Sequence, residues 1–248
     1  MKRWSLLAVG LGIYAAGLVA MAPATLVDAG LSSASNSRLR LADASGTVWA
    51  GAAQLEIRDY AGRPGIAKRI SWRVLPESLW RGRLVCEIVL DHATDRPFPM
   101  AISPSKFELT NADLEFPAAG LAVALSQLAP LRLTGDVVLH VSSLIVGHNN
   151  VRGNATLQWR AAGSAFSPVS PLGNYELRLD GEGTAVHVSL RTLQGPLQLD
   201  GKGSWTNRGN AEFLAIAQVP PEQREQLSPL LRLISVQRDE GSFELQLK

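Results

Sequence analysis

The chain has 248 residues, with 24 Lys and Arg against 22 Asp and Glu, which gives a formal net charge of +2. The basic residues are scattered and form no stripe interleaved with aromatic side chains, so nothing in the composition favours nucleic acid as a partner. A single cysteine, Cys86, excludes an intramolecular disulfide framework. The length allows one large domain or two small ones with a hydrophobic core.

The N-terminal segment is the first predicted element. Lys2 and Arg3 precede an uncharged apolar run over residues 4–22, which ends at Pro23. A run of this length predicts a membrane-spanning helix, and the two basic residues predict a cytoplasmic N-terminus. The rest of the chain would then lie in the periplasm of a Gram-negative host. The alternative is a cleaved signal peptide, because Ala20-Met21-Ala22 resembles a cleavage site, although cleavage directly before proline is disfavoured.

We therefore divide the chain into an anchor with its cytoplasmic tip (1–23), a linker rich in small residues (24–37) and a β-rich periplasmic domain (38–248). In this domain apolar and polar residues alternate in short segments separated by glycine. Such alternation predicts an antiparallel sheet with one wetted face, not a parallel α/β core. The predicted strands lie at residues 47–49, 53–57, 70–74, 84–90, 107–109, 137–141, 156–159, 175–179, 185–190, 197–199 and 243–247.

Two segments of the domain have helical rather than strand periodicity. Leucines recur at helical spacing over residues 118–128 and again over residues 221–233. The second segment starts at Pro221, a favourable helix-entry residue, and contains Pro229, where we expect a break or kink. Because each half of the domain has strands, then a short helix, then a further strand, the sequence suggests an internal duplication with a break near 163–171. Chance self-similarity of a β-rich sequence is the other reading.

The sequence displays no catalytic, metal-binding or cofactor-binding motif. It has no Gly-x-Ser-x-Gly elbow and no glycine-rich phosphate loop before a helix. The four histidines lack metal-ligand spacing, and His140 and His187 are expected on the solvent face of strands. Cys86 lies in a predicted strand, where burial as a small hydrophobic residue is expected. We therefore predict a protein that is not an enzyme and needs no metal or cofactor.

The tryptophans carry the most specific information. Those that follow the anchor lie in or beside predicted strands: Trp49, Trp72, Trp80, Trp159 and Trp205. Core packing is the default interpretation, because each ring buries a large apolar area. The lining of an elongated apolar groove is the alternative.

Several blocks around these tryptophans match a known family in order and spacing. Gly46-Thr47-Val48-Trp49-Ala50-Gly51 is similar to a Gly-Thr-Val-Trp-x-Gly segment, and Trp72, Pro76 and Gly82 follow a Trp-x-x-x-Pro-x-x-Leu-x-x-Gly segment. Later blocks contain Gly135, Trp159 and residues 171–175, and the match is loosest from residue 197 onward. In these blocks the chain resembles type II secretion system protein N, also called general secretion pathway protein N.

The resemblance implies a bitopic protein of the inner membrane with a periplasmic domain. Together with the residue pattern, we therefore expect a single N-terminal transmembrane helix followed by a curved, mostly antiparallel periplasmic β-sheet domain with two short helices. It implies an accessory role in the machine that moves folded proteins across the outer membrane. The implied partners are other type II secretion components, with protein C as a candidate. Eight residues of these blocks are expected to specify the fold, and we call them the motif residues: Gly46, Trp49, Gly51, Trp72, Pro76, Gly82, Gly135 and Trp159. Glycines beside a large ring permit a bulge or tight bend.

A second hypothesis follows from a distant relation of this family to AsmA-like envelope proteins, whose curved sheets can present an apolar trough. In that case the domain would bind or handle lipid along one apolar face. A trough lined by Trp49, Trp72 and Trp159 and open to solvent would favour lipid handling. A filled core with free strand edges would favour assembly with other proteins.

Overall fold

The computed structural model describes residues 2–58, 64–91, 96–124, 126–206, 211–227, 236–239 and 242–247. The chain divides into two compact units, Met1–Pro97 and Phe98–Lys248. Both consist mainly of antiparallel strands with few helices, which confirms the predicted β class. The internal duplication with a break near 163–171 stays a prediction.

The first unit contains two helices and four strands. Its elements are α1 (Lys2–Ala20), α2 (Thr25–Ala34), β1 (Leu39–Gly46), β2 (Ala50–Arg58), β3 (Pro64–Leu75), a 3₁₀ turn (Pro76–Arg81) and β4 (Leu84–Leu90). The four strands pair in chain order, each antiparallel to the next. Within the ranges that the structure describes, none of the helices combines the length and apolar character that crossing a membrane requires.

Helix α2 lies in the segment predicted as a linker. A helix forms here although many residues are small, because alanine is the best helix former and the helix also contains the larger residues Leu26, Val27 and Leu31. The helix ends at Ala34 because Asn36 and Ser37 adopt positive φ angles of 51° and 63°.

Side chains of α2 cover the open edge of strand β1. The carboxylate of Asp28 accepts a hydrogen bond from the backbone N–H of Leu41 at 2.7 Å, and the hydroxyl of Ser35 accepts one from Leu39 at 3.0 Å. The Leu41 N–H, followed by the Arg40 guanidinium, lowers the pKa of the Asp28 carboxyl despite partial burial. Helix α2 thus satisfies donors that an uncovered edge strand would offer to another chain.

The sheet of the first unit has one apolar face. Trp72 lies directly opposite Ile88, and Val74 opposite Cys86, and all four side chains are buried. Burial raises the pKa of the Cys86 thiol, and the expectation of a buried side chain in a strand is confirmed. Arg73, between these positions on β3, is exposed, as the alternation predicts.

The second unit contains ten strands, one short α-helix and the α-helical residues 224–227 among its described residues. Its elements are β5 (Phe98–Ser103), β6 (Lys106–Pro117), α3 (Ala119–Ala124), a 3₁₀ segment (Ser126–Leu131), β7 (Leu133–Gly147), β8 (Val151–Ser164), β9 (Gly173–Gly183), β10 (Ala185–Gln194), β11 (Gln198–Thr206), β12 (Ala211–Gln218), a 3₁₀ turn (Pro221–Gln223), β13 (Val236–Asp239) and β14 (Ser242–Leu247). Strands β5 to β12 pair in chain order, β14 pairs with β12, and β13 follows β14.

Both predicted helices are found in part within the described residues. The first is split into α3 and the 3₁₀ segment that contains Pro130, while Leu125 lies outside the described residues. The second begins as predicted at Pro221 and continues through helical residues 224–227. The expected break at Pro229 lies outside the described residues.

Some strand predictions were wrong or missing. Residues 47–49 were predicted as a strand, but they form the loop between β1 and β2, because Gly46 ends β1 with a φ of 91°. Strands β1, β5, β12 and β13 were missed. In β12 the buried positions are Ala215 and Ala217, whose small side chains give a weak apolar signal.

Connecting segments cover one end of the apolar face of the second unit. Buried Val137 and Ala118 form a cluster against which Leu121 and Leu128 pack, from α3 and the 3₁₀ segment. A second cluster includes fully buried Leu227. The core of this unit therefore lies where connections between strands fold back over the sheet.

The opposite face carries a buried carboxylate that sequence reasoning missed. Glu176 on β9 is 5 % exposed and accepts hydrogen bonds from Arg178 at 2.7 Å and Arg191 at 2.8 Å. Burial alone would raise its pKa, but the hydrogen bonds and charges of the two arginines outweigh burial and lower it. The ionised form is therefore the one that stabilises the fold.

We expect Glu176→Gln to lower the free energy of unfolding at neutral pH by about 1–2 kcal/mol, because both arginines are half-exposed and keep part of their hydration. A lowered folded-state pKa contributes stability above the unfolded pKa of about 4.3, and this is lost as the pH falls through the folded pKa. Urea denaturation at several pH values should show the difference from wild type shrinking in acid. Exposed Glu182→Gln on the same strand is the control, and an equal loss in both variants would contradict this role.

Candidate functional site

The loop between β1 and β2 connects the sheet of the first unit to the end of helix α1. We call this loop (residues 46–51) and the segment that it contacts (residues 19–24) the junction. The backbone N–H of Val48 donates to the carbonyl of Ala22 at 2.9 Å, and that of Ala24 donates to Gly46 at 3.1 Å. The indole Nε1 of Trp49 donates to the carbonyl of Val19 at 2.8 Å. Three hydrogen bonds thus link a loop of the sheet to the segment that leaves α1.

Local sequence explains the shape of the loop. Gly46 and Gly51 lie opposite each other and close the hairpin. The hydroxyl of Thr47 accepts hydrogen bonds from the backbone N–H groups of Trp49 at 3.3 Å and Ala50 at 3.2 Å, which holds the turn. The predicted tight bend beside Trp49 is confirmed.

Trp72 on β3 packs against the loop and donates a hydrogen bond to it. Its ring is 8 % exposed, and its Nε1 donates to the carbonyl of Val48 at 3.2 Å. A side chain at Gly51 would collide with this ring and with the carbonyl of Ser45, so only glycine fits there. The N–H of Val74 donates to the carbonyl of Trp49 at 2.7 Å. Four of the predicted motif residues therefore meet at one place: Gly46, Trp49, Gly51 and Trp72.

Pro76 and Gly82 delimit the 3₁₀ turn that follows β3. Pro76 is the first residue of the turn, and Gly82 ends it with a left-handed φ of 66°. The prediction that Pro76 ends the Trp72 strand and that Gly82 supplies a turn is confirmed.

Gly135 and Trp159 belong to the second unit, where they also lie together. Gly135 lies opposite a β-bulge of β8, which has one extra residue there, and it has a φ of 98° and no space for a side chain against the backbone of Ala161. The indole Nε1 of Trp159 donates to the carbonyl of Thr134 at 2.9 Å. The ring of Trp159 lies 5.9 Å from that of Tyr175. These residues shape the covered end of the apolar face, as expected of fold-specifying residues.

Further along this face, one leucine from each of five neighbouring strands lies in register. We call these residues the leucine row: Leu114, Leu139, Leu157, Leu177 and Leu190. Residues directly opposite each other in antiparallel strands share one face, so the five side chains are adjacent. All five remain partly exposed, whereas Val137 and Tyr175, one row nearer the covered end, are buried.

The next row continues the apolar surface: Ala112 and Val141 are buried, whereas Ala155, Leu179, Val188 and Phe213 are partly exposed. Gly203 lies opposite Phe213, and a side chain there would meet the Phe213 ring. The sheet thus presents an apolar surface that spans several strands and is only partly covered. Such surfaces mark sites of interaction with proteins or lipids.

The described residues offer little chemistry for catalysis. In the ranges given above, no group of three or more His, Cys, Asp or Glu side chains is placed to hold a metal ion. His140 and His187 lie on strands with exposed side chains, as predicted, and each has one carboxylate neighbour, Asp113 and Glu182 respectively. His92 lies outside the described residues. The buried hydroxyl of Tyr175 donates to the carbonyl of Leu197 at 3.0 Å, and burial raises its pKa.

The tryptophans do not all follow the expectation of core packing. Trp72 is buried, and Trp49 and Trp159 are half-buried. Trp80 and Trp205, in contrast, are 93 % and 60 % exposed, so the expectation is wrong for these two residues. Trp49 and Trp72 lie at the junction in the first unit, and Trp159 lies at the covered end of the apolar face of the second unit.

Sequence reasoning missed the partners of the motif residues. The carbonyls of Val19 and Ala22 have no sequence signature, because any residue offers a backbone carbonyl. The leucine row was visible only as alternation within single strands; its alignment depends on register.

Comparison with known proteins was made at the level of families, curated proteins and solved structures. Residues 37–246 match the family model described as type II secretion system (T2SS), protein N. The match spans both the junction loop and the leucine row. No curated protein and no solved structure matched the chain.

We expect Gly51→Ala to lower the free energy of unfolding by about 1–3 kcal/mol, because the added methyl group must displace the Trp72 ring or the backbone of Ser45. Chemical denaturation of the full chain in detergent, followed by circular dichroism, measures the effect. The matched control is Gly30→Ala in helix α2, where nothing lies within 4 Å. That variant should gain roughly 0.5–1 kcal/mol from helix propensity. Equal stability of Gly51→Ala and wild type would contradict the packing at the junction.

Proposed function

Because the chain belongs to the type II secretion system protein N family, we propose that it is a non-enzymatic accessory component of this secretion machine. In this proposal α1 anchors it in the inner membrane with a cytoplasmic N-terminus, and its sheets contact other secretion components, protein C among them, in the periplasm. The family match over residues 37–246 carries the role in secretion. The anchor and the contacts are supported by separate features.

The surface of helix α1 supports the anchor. The side chains of residues 9–20 of α1 are exposed, and those of Val9, Leu11 and Ile13 are 60–69 % exposed. Water around such a surface is unfavourable, and insertion into a bilayer removes that cost. Lys2 and Arg3 precede the apolar residues, which favours retention of the N-terminus in the cytoplasm.

The strand edges support a particular mode of protein contact. Pairing of a partner strand with the first half of β1 is disfavoured, because Asp28 of α2 and Ser35, directly after α2, already accept hydrogen bonds from the N–H groups of Leu41 and Leu39. At the other end of the strand order, β13 (Val236–Asp239) pairs only with β14 among the described strands. We therefore favour β13 as the edge that receives a strand of another secretion component.

The leucine row favours a second candidate function. Five aligned leucines on one face of the sheet remain partly exposed. Acyl chains would bind such a surface by apolar burial without requiring polar partners. A lipid-binding or lipid-handling role in the envelope is thus the alternative to assembly by protein contacts.

We expect the native chain to retain residues 1–22 and to stay in the membrane pellet after alkaline extraction. Intact-mass measurement of the protein purified from membranes checks retention. The control replaces residues 1–22 with a cleavable signal peptide, and its product should be released into the soluble periplasmic fraction. A mature chain that begins at Pro23 would contradict the anchor and support the signal-peptide alternative.

The two functions predict different products from photo-crosslinking probes placed in cells at Leu157, Gln158 and Gln237. Leu157 and Gln158 are neighbours on β8 and face opposite sides of the sheet, so they form a matched pair. For assembly we expect a protein adduct at position 237, identified by mass spectrometry as a secretion component. Its loss in a host without the other secretion components is the control.

For lipid handling we expect an adduct of lipid mass at position 157 and none at position 158. A lipid adduct at 157 with no protein adduct at 237 would overturn the assembly proposal. A protein adduct at 237 without lipid at 157 would overturn the alternative. The absence of both adducts would contradict both functions.

A further inference from the structure

The 3₁₀ turn between β3 and β4, Pro76–Arg81, holds its residues in fixed positions; we call it the Trp80 turn. The hydroxyl of Ser78, which is buried, donates to the carbonyl of Leu75 at 2.6 Å and accepts from the N–H of Val85 at 3.0 Å. Two contacts of one buried hydroxyl thus tie the turn to the ends of both strands. Its shape is set by the fold and not by solvent.

This rigid turn exposes two apolar side chains. Trp80 is 93 % exposed and Leu79 is 42 % exposed. Neither belongs to the buried core, and the indole of Trp80 has no hydrogen-bond partner among the described residues. Trp80 is the most exposed of the large apolar side chains that the structure describes. An indole held outward by a fixed turn is suited to an environment that is apolar on one side and polar on the other.

The turn emerges at the end of the sheet that contacts α1. Val74, two residues before Pro76, donates its N–H to the carbonyl of Trp49 at 2.7 Å. Trp49 in turn donates its indole N–H to the carbonyl of Val19, near the end of α1. All of these residues belong to the unit Met1–Pro97. Two successive hydrogen bonds therefore link the strand that leads into the Trp80 turn to Val19, near the end of α1, where the proposed anchor leaves the bilayer.

The charges around the turn fit a lipid surface. Arg81 and Arg83 are exposed and flank Gly82, and the only acidic residue of the turn is Glu77. Guanidinium groups bind phosphate oxygens through paired hydrogen bonds. Tryptophan is enriched at the level of lipid headgroups for the reason given above.

We propose that the Trp80 turn is a second membrane contact, in which the Trp80 indole enters the headgroup region of the bilayer and Arg81 and Arg83 bind lipid phosphates. This inference rests on the proposed anchoring by α1. Two contacts, one through α1 and one through the turn, fix the orientation of the first unit on the membrane surface. A single helix would leave the unit free to rotate.

The test uses the full chain reconstituted in vesicles of phosphatidylethanolamine and phosphatidylglycerol. Trp80→Cys is labelled with an environment-sensitive nitrobenzoxadiazole probe, and Asp91→Cys, just beyond β4 at the opposite end of the sheet, is the matched control. The unsubstituted chain reports background labelling of buried Cys86. Flotation of the vesicles measures the anchor separately from the probe.

We expect the probe at position 80 to emit at shorter wavelength in vesicles than in detergent-free buffer and to be quenched by brominated lipids. The probe at position 91 should show neither change. Arg81→Gln combined with Arg83→Gln in the labelled chain should reduce the quenching at position 80.

Flotation of the chain with an unquenched probe at position 80 would overturn the second contact and leave the anchor intact. Failure to float would overturn the anchor and this inference with it. If the probe became shielded only after another secretion component was added, the turn would be a protein contact, and the inference would be wrong.

Discussion

The first unit depends on the hydrogen bonds by which loop 46–51 takes the backbone of residues 19–24 as its partner. The loop has left the ladder of β1 and β2, so its polar groups need partners elsewhere. Val48 and Trp49 find them in carbonyls of Ala22 and Val19. Gly51 permits this arrangement because the Trp72 ring occupies the space of its side chain. One loop therefore connects helix α1, the sheet and the buried indole of Trp72, so a change in any one of them alters the contacts of the other two.

The second unit is governed by a different constraint, because a single sheet can be covered only where its connections fold back over it. Leu121 and Leu128 cover Val137, and the segment near Leu227 covers a second cluster. Beyond that end, the leucine row is only half-buried. On the opposite face, Arg178 and Arg191 donate hydrogen bonds to the carboxylate of Glu176, which the sheet removes from water.

The sequence predicted the class of fold well and its contacts poorly. Alternation alone located most strands, the burial of Cys86 and the exposure of His140 and His187, because period-2 patterns report which face a residue takes. It failed for residues 47–49, where β-branched and aromatic residues form a loop, and for α2, whose small residues resemble a linker. Trp80 shows the general limit. Whether an indole is packed or exposed depends on the path of the turn that carries it, and local sequence does not encode what lies opposite.

Assembly and lipid binding need not compete for the same surface of the second unit. A partner strand at β13 would use backbone groups in the plane of the sheet, whereas acyl chains would contact side chains on one face. The register that aligns Leu139, Leu157 and Leu177 also fixes which face each neighbouring polar residue takes, so the two surfaces are set by one pairing pattern. A lipid on the leucine row would bury the surface that the connections leave half-exposed and so stabilise the sheet that presents the edge. A lipid bound in this way would be a structural ligand that stabilises the protein for assembly, and not a transported cargo.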